Sequence, residues 1–254
     1  MQQRYKDYIS QEKETWRDKF TWKGLCGDTP KYSITIVEFA NETGAFDNIV
    51  RYKNAKAFRK SMEGVAEEYT RWVLSKGIYS QDELSDIRDF FMGAMGEYFF
   101  MGMLAKVKCF LVKNETNGRI VRYDLDYVAP RLIGEMDFGV DLTGRISKGK
   151  KSYNCAIQVK FWNPNTNCKI TEKIASSAFT DGVINNFIKP KEESNIVICW
   201  LGDTSMVSRY LRQNEALYKH IVFIDNDVID RSVNGAMCDF WDWMYDNIKD
   251  IKNL

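Results

Sequence analysis

Four side chains stand out because their surroundings give no reason for them to be polar. In GEMDFGVDL (Gly134 to Leu142) and CAIQVKFW (Cys155 to Trp162), Asp141, Gln158 and Lys160 interrupt stretches rich in Val, Ile and Ala. Asp141 and Gly139 flank Val140, and Gln158 and Lys160 flank Val159; strand side chains alternate, so each pair is predicted to share a strand face. Pairing of the two strands in a hairpin would bring the three polar groups together. Polar groups turned inward are costly unless they bind something. The fourth side chain is Glu97, the only charged residue in FFMGAMGEYFFMGML (Phe90 to Leu104). A helical repeat places it on one face with Phe90, Gly93, Ala94, Met101 and Leu104, so it is predicted to point into the interior. An unpaired carboxylate there would cost on the order of several kcal/mol. A hydrated divalent cation meets the needs of such a set, because Mg²⁺ takes hard oxygen ligands and keeps several waters. Taken singly, Asp141 also suits a turn cap, Lys160 a snorkelling edge-strand cation, Gln158 a satisfied core amide and Glu97 an internal ion pair.

The elements that must position these residues follow from periodicity. A long helix is predicted from about Asp82 to Val107, ending before a strand Cys109 to Val112. The apolar run around Glu97 falls short of the roughly 20 residues a bilayer span needs and has an acid at its centre. A hairpin follows, with strands Gly139 to Ile146 and Tyr153 to Trp162 joined by a Gly/Lys turn at Lys148 to Lys151. Next come a helix Glu172 to Ile188, strands Asn195 to Leu201 and His220 to Ile224, and a terminal helix from about Gly235. That helix carries Met237, Phe240, Trp241, Met244, Tyr245, Ile248 and Ile251 at helical spacing. This order describes an α/β core with a mixed sheet over residues 81–254. Residues 1–80 read as a mainly helical region of unassigned role. It comprises a charged helix to about Phe20, a strand Ser33 to Phe39, and a helix Ala55 to Ser75 with Phe58, Met62, Val65, Tyr69 and Trp72 on one stripe.

Composition removes several chemistries. With 36 Lys and Arg against 35 Asp and Glu among 254 residues, net charge is +1, so any attraction for polyanions must be local. The densest basic stretch is Arg51, Lys53, Lys56, Arg59 and Lys60, with Tyr52 and Phe58 interleaved; it suits phosphate contact beside an aromatic ring, or simply a solvated helix face. His220 is the only histidine, which argues against histidine metal clusters and a histidine-activated nucleophile. The six cysteines are scattered without a CxxC pair, so they read as reduced packing residues. Met1 to Phe20 is too charged for a signal peptide, and a cytoplasmic location is expected. Chemistry is left to carboxylates, amides and amines.

In that order and on those elements, Gly139-Val-Asp141 and Gln158-Val-Lys160 resemble the motif of the PD-(D/E)XK nuclease superfamily. Within it, the nearest pattern is that of the Mrr-like restriction enzymes. Asp137 matches an acid such enzymes often carry, and Gly96-Glu97-Tyr98 looks like the helix bearing their active-site glutamate. The resemblance implies a restriction-endonuclease-like core, a central mixed β-sheet flanked by helices. It implies an Mg-dependent endonuclease, with Mn²⁺ able to substitute, hydrolysing DNA to a 5′-phosphate and a 3′-hydroxyl in restriction or anti-phage defence. Glu97, Asp141, Gln158 and the Val159 carbonyl would be the metal ligands, and Lys160 the cation beside the attacked phosphate. Gln158 offers a neutral amide where many relatives have a carboxylate, so neutralisation falls on Asp141 and Glu97. Asp137, Trp162, Asn163, Lys169, Arg51, Lys53 and Lys56 are weaker candidates for substrate contact. Because one such centre cuts one strand, a homodimer or higher homo-oligomer acting on double-stranded DNA is expected. Two other readings stay open: a nuclease-fold binding or assembly subunit without activity, and a structure-selective or RNA-directed nuclease.

Overall fold

The hydrophobic core is organised around one long helix, and the sequence explains why. The structure, a computed structural model, describes residues 30–77, 84–113, 117–130, 142–160, 195–201 and 221–253. Helix α1 spans Pro30–Thr43, α2 Ala55–Ser75 and α3 Leu84–Val107. Strands β1 Cys109–Lys113, β2 Ile120–Pro130, β3 Leu142–Lys148, β4 Lys151–Lys160, β5 Asn195–Leu201 and β6 Ile221–Ile224 follow. Helices α4 Asn226–Gly235 and α5 Phe240–Lys249 lead to a 3₁₀ turn, Asp250–Asn253. Large apolar residues surround α3 on most sides. Phe91, Met95, Phe99, Phe100 and Met103 are all fully buried. Phe91 meets Tyr69 of α2, ring centroids 4.9 Å apart, and Phe99 stacks on Phe58 at 4.5 Å. On its sheet side, Phe100 stacks on Phe110 of β1 at 5.9 Å. Each such ring stabilises the fold by roughly 1.5–3 kcal/mol relative to leaving it exposed. Ile36 of α1, Met62 of α2, Met244 of α5 and Ile251 belong to the same continuous core.

The sheet runs β1-β2-β3-β4-β5-β6. The first four strands are antiparallel to one another, whereas β5 lies parallel to β4 and β6 parallel to β5. It is a mixed α/β architecture, as the alternation of strand and helix patterns predicts. The β3–β4 hairpin closes with Lys148 opposite Lys151 across Gly149 and Lys150, where Gly149 has φ +60°, a backbone conformation glycine adopts without steric cost. The outer edge of β1 is closed by α4. The Leu111 N–H donates to Ser232 Oγ at 2.9 Å, and Arg231 Nη1 donates to the Leu111 carbonyl at 2.8 Å. Ser232 in turn donates to the Val228 carbonyl at 2.6 Å.

Several expectations need correction. The β-branched run Ser33 to Phe39 lies within α1 rather than in a strand. Its apolar residues fit both periods, but Ile36, Phe39 and Ala40 fall at helical steps and are all buried. Phe39 lodges between Phe46, Tyr69, Trp72 and Phe91, so tertiary packing overrides β propensity. Gly44, with φ +63°, ends α1, its N–H bonded to the Ala40 carbonyl. Strand β2 went unrecognised because Arg122, Asp124 and Asp126 break up its apolar content. The terminal helix expected from about Gly235 begins at Phe240, after a break at Ala236 to Asp239, and α4 ahead of it has no counterpart in the expected elements. Phe240, Met244, Ile248 and Ile251 are buried as predicted, but Met237 is 95% exposed. The predicted helix Glu172 to Ile188, the charged helix to Phe20 and His220 lie outside the described residues.

Candidate active site

Glu97 sits in the middle of α3, but not inside the core. Phe90, Gly93, Ala94 and Glu97 form one stripe along α3, and all four are half-buried, while Phe91, Met95, Phe99 and Phe100 beside them are closed off. The predicted interior position is therefore corrected to a boundary one. Leu104, on the same face, is buried, so the stripe is open only from Phe90 to Glu97. A boundary carboxylate keeps much of its hydration and does not carry the full cost of an interior charge.

Gln158, Val159 and Lys160 form the last three residues of β4. On one side they pair with β5, placing Gln158 opposite Cys199, Val159 opposite Trp200 and Lys160 opposite Leu201. On the other side β4 pairs with β3, and the last described pair is Leu142 with Ile157. Val159 is only 6% exposed and belongs to the main core. Helix α3 packs against β4 and β2, so the helix of Glu97 and the strand of Gln158 and Lys160 are adjacent elements. Asp137, Asp141, Trp162, Asn163 and Lys169 lie outside the described residues, as do the side chains of Gln158 and Lys160. Among the described residues no three His, Cys, Asp or Glu side chains form a group able to hold a metal ion. The donor types, two carboxylates, an amide oxygen and a backbone carbonyl, suit a hard cation such as Mg²⁺.

The basic stretch lies on a different side of α3. Phe58 stacks on Phe99, and position 99 is about 200° around the helix from position 97, whereas position 100, facing the sheet, is only about 60° away. Its residues divide into two kinds. Tyr52 and Phe58 are core residues, 4% and 0% exposed, and present no stacking ring to a ligand. Arg59, read from the sequence as a surface cation, is 5% exposed, with Nε donating to Glu63 at 3.1 Å. Burial lowers its pKa, opposed by Glu63. The i,i+4 spacing of Arg59 and Glu63 was the available signal for this pair. Arg51 is exposed but bound to Asp242 at 2.9 Å. Lys53, Lys56 and Lys60 are exposed.

Cys155 and Cys109 are poor nucleophiles. Burial pushes the Cys155 and Cys109 thiols above the usual range, and a protonated thiol neither attacks nor binds metal well. Among the described residues no helix is long and apolar enough to cross a membrane. The chain matches no protein-family model, no curated protein and no solved structure.

Proposed function

We propose that the chain is a metal-dependent endonuclease of the PD-(D/E)XK type, acting on DNA phosphodiesters as a homodimer in restriction or anti-phage defence. One observation carries the reading. The Gln158-Val159-Lys160 segment ends a strand that lies between an antiparallel hairpin partner and a parallel strand, with the glutamate-bearing helix packed against it. The register supports it further: Leu142, next in sequence to Asp141, pairs with Ile157, next in sequence to Gln158.

The roles follow from chemistry. Asp141 and Glu97 are the anionic ligands, and Gln158 and the Val159 carbonyl complete the oxygen set. The half-buried position of Glu97 puts it at the margin of the core rather than inside it. Held by these residues, Mg²⁺ would supply Lewis-acid chemistry to the phosphate and to the attacking water. Lys160 supplies a fixed positive charge where negative charge develops on the phosphate, an effect realised mainly in the transition state. Val159, packed in the core, holds the strand still between its two polar neighbours. Two copies are needed because one centre cuts one strand of a duplex.

The test is cleavage of plasmid, single-stranded DNA and RNA by the purified chain with Mg²⁺, Mn²⁺ or EDTA. Metal-dependent nicking or linearisation that disappears in both Asp141→Ala and Lys160→Ala is the expected outcome. Cleavage that survives both substitutions, or none by a folded wild type with either metal, removes the hydrolytic reading.

A further inference from the structure

From Asn48 to Met62 the chain contains five cations and no acid, in a molecule whose charges otherwise nearly balance. Two of the five are spent internally: Arg51 on Asp242 and Arg59 on Glu63. The remaining three, Lys53, Lys56 and Lys60, form no ion pair among the described residues, and all are exposed. Lys56 and Lys60 are one helical turn apart on α2, and Lys53 lies just before the Asn54 cap, whose side chain accepts from the Ala57 N–H. Lys56 and Lys60 therefore stand on one side of the first turns of α2, about 6 Å apart along the axis, and Lys53 is exposed just ahead of the helix start. The start of α2 is anchored by Asp230 of α4, which accepts the Ala55 N–H at 3.0 Å, so this row of ammonium groups stands on a braced helix.

We infer that Lys53, Lys56 and Lys60 form an accessory surface for the phosphate backbone of double-stranded DNA, separate from the chemistry and indifferent to base sequence. The inference rests on the nuclease reading for its choice of polyanion. Charge complementarity favours a backbone: unneutralised lysines gain by releasing counterions condensed on a polyphosphate. A membrane surface fits poorly, because the neighbouring rings Tyr52 and Phe58 are buried and an interfacial helix needs apolar side chains free to insert. The same burial excludes base stacking, leaving phosphate contact as the mode. The surface is also apart from β4. It lies across α3 from Glu97, and it is tied to α4, which closes the β1 edge, three strands or about 14 Å from β4.

The experiment measures binding of the full chain to a short fluorescent duplex in EDTA, where cleavage is absent, as a function of salt. Each phosphate contact contributes about −0.9 to the slope of log K against log salt. A triple Lys→Glu variant at 53, 56 and 60 is expected to flatten the slope by about 2 to 3 units and weaken binding about equally for unrelated sequences. A triple Lys→Arg variant should keep the slope, and a triple Lys→Gln variant guards against misfolding caused by reversed charge. An unchanged slope in a folded Gln variant overturns the inference, and if the wild type still cleaves, the nuclease reading survives. Displacement of the duplex by polyglutamate at equal charge would assign the surface to an acidic protein and overturn the backbone assignment. A wild type that binds no duplex overturns it too, and the cleavage assay then decides the nuclease reading separately.

Discussion

Gly102 of α3 lies directly beneath the indole of Trp243 on α5: a Cβ built at position 102 would come within 2.6 Å of Trp243 Cζ3 and 2.7 Å of Met244 Cε. Helix α5 can approach α3 this closely only because residue 102 has no side chain. Met244 can swing away, but the indole is rigid, and Lys106 Nζ sits 5.1 Å from its centroid. Gly102→Ala is expected to destabilise the fold by about 1–3 kcal/mol through overpacking, despite alanine's better helix propensity. Urea unfolding followed by tryptophan fluorescence measures this, and a variant as stable as wild type would show that α5 is not seated as described.

Ser232 is fully buried and links α4 to the outer edge of β1. Ser232→Ala should leave the Leu111 N–H without its acceptor, at a cost of about 1–3 kcal/mol. Hydrogen exchange gives the sharper measurement: the Leu111 amide should exchange much faster in the variant while amides of β3 and β4 change little. Equal protection at Leu111 would contradict the assignment.

Asp230 supplies the pH dependence. Desolvation raises its pKa above the ordinary carboxylate value, and Asp227 and Asp225 add to the rise, while the Ala55 N–H opposes it. An acid whose folded pKa exceeds its unfolded one favours folding fully below the unfolded pKa, and that contribution is lost as pH rises through the folded pKa. Asp230→Asn keeps an oxygen acceptor for Ala55 and removes the charge. The variant is expected to gain stability relative to wild type above the shifted pKa, with the gain shrinking as pH is lowered towards 4. Thermal melts across that range provide the measurement, and a gain that grows on acidification would reverse the sign.

Glu42 works in the opposite direction. Hydrogen bonds from Lys76 and the Trp72 indole hold its pKa below 4.5, so its contribution is present above the unfolded value and is lost as pH falls through the folded one. Glu42→Gln should lower stability slightly at neutral pH and leave it unchanged at the acid end, so the acid limb flattens; the effect is small because the pair is exposed, and urea unfolding across pH measures it.

At the proposed centre, Glu97→Gln removes an anion from a set already short of one because of Gln158. The Mg²⁺ concentration giving half-maximal cleavage is expected to rise roughly 10–100-fold, the scale of losses at metal-supporting residues, with duplex binding in EDTA retained. A lower maximal rate at unchanged metal dependence would place Glu97 outside the ligand set.

Long, strongly periodic elements were legible in the sequence. Ala55 to Ser75 matches α2 at both ends, and Asp82 to Val107 matches α3 at its end, its first two residues lying outside the described ones. The β3–β4 hairpin was legible because a Gly/Lys turn separates two alternating runs. Ser33 to Phe39 reads as a strand because its helical face is set by Phe39's partners, most of which, Tyr69, Trp72 and Phe91, lie 30 or more positions away. Glu97 was located correctly on its helix, but its exposure was not, since one strip of sequence does not reveal which faces of a helix its neighbours leave uncovered. The basic stretch was visible as charge; that Arg59 turns inward while Lys53, Lys56 and Lys60 do not depended on the packing of Phe58 beneath them.

The chain's first and last described segments are pinned to each other. Lys252 Nζ reaches Asp47 at 2.6 Å, and Ile251 shares a core with Ile36. During synthesis α1 and α2 are made before residues 240–251 and cannot complete their packing until those follow. Until then part of the aromatic surface of α1 and α2 lacks its cover, and contacts of such long sequence separation slow folding. Shortening α5 by a few residues should consequently injure soluble yield more than its small size suggests.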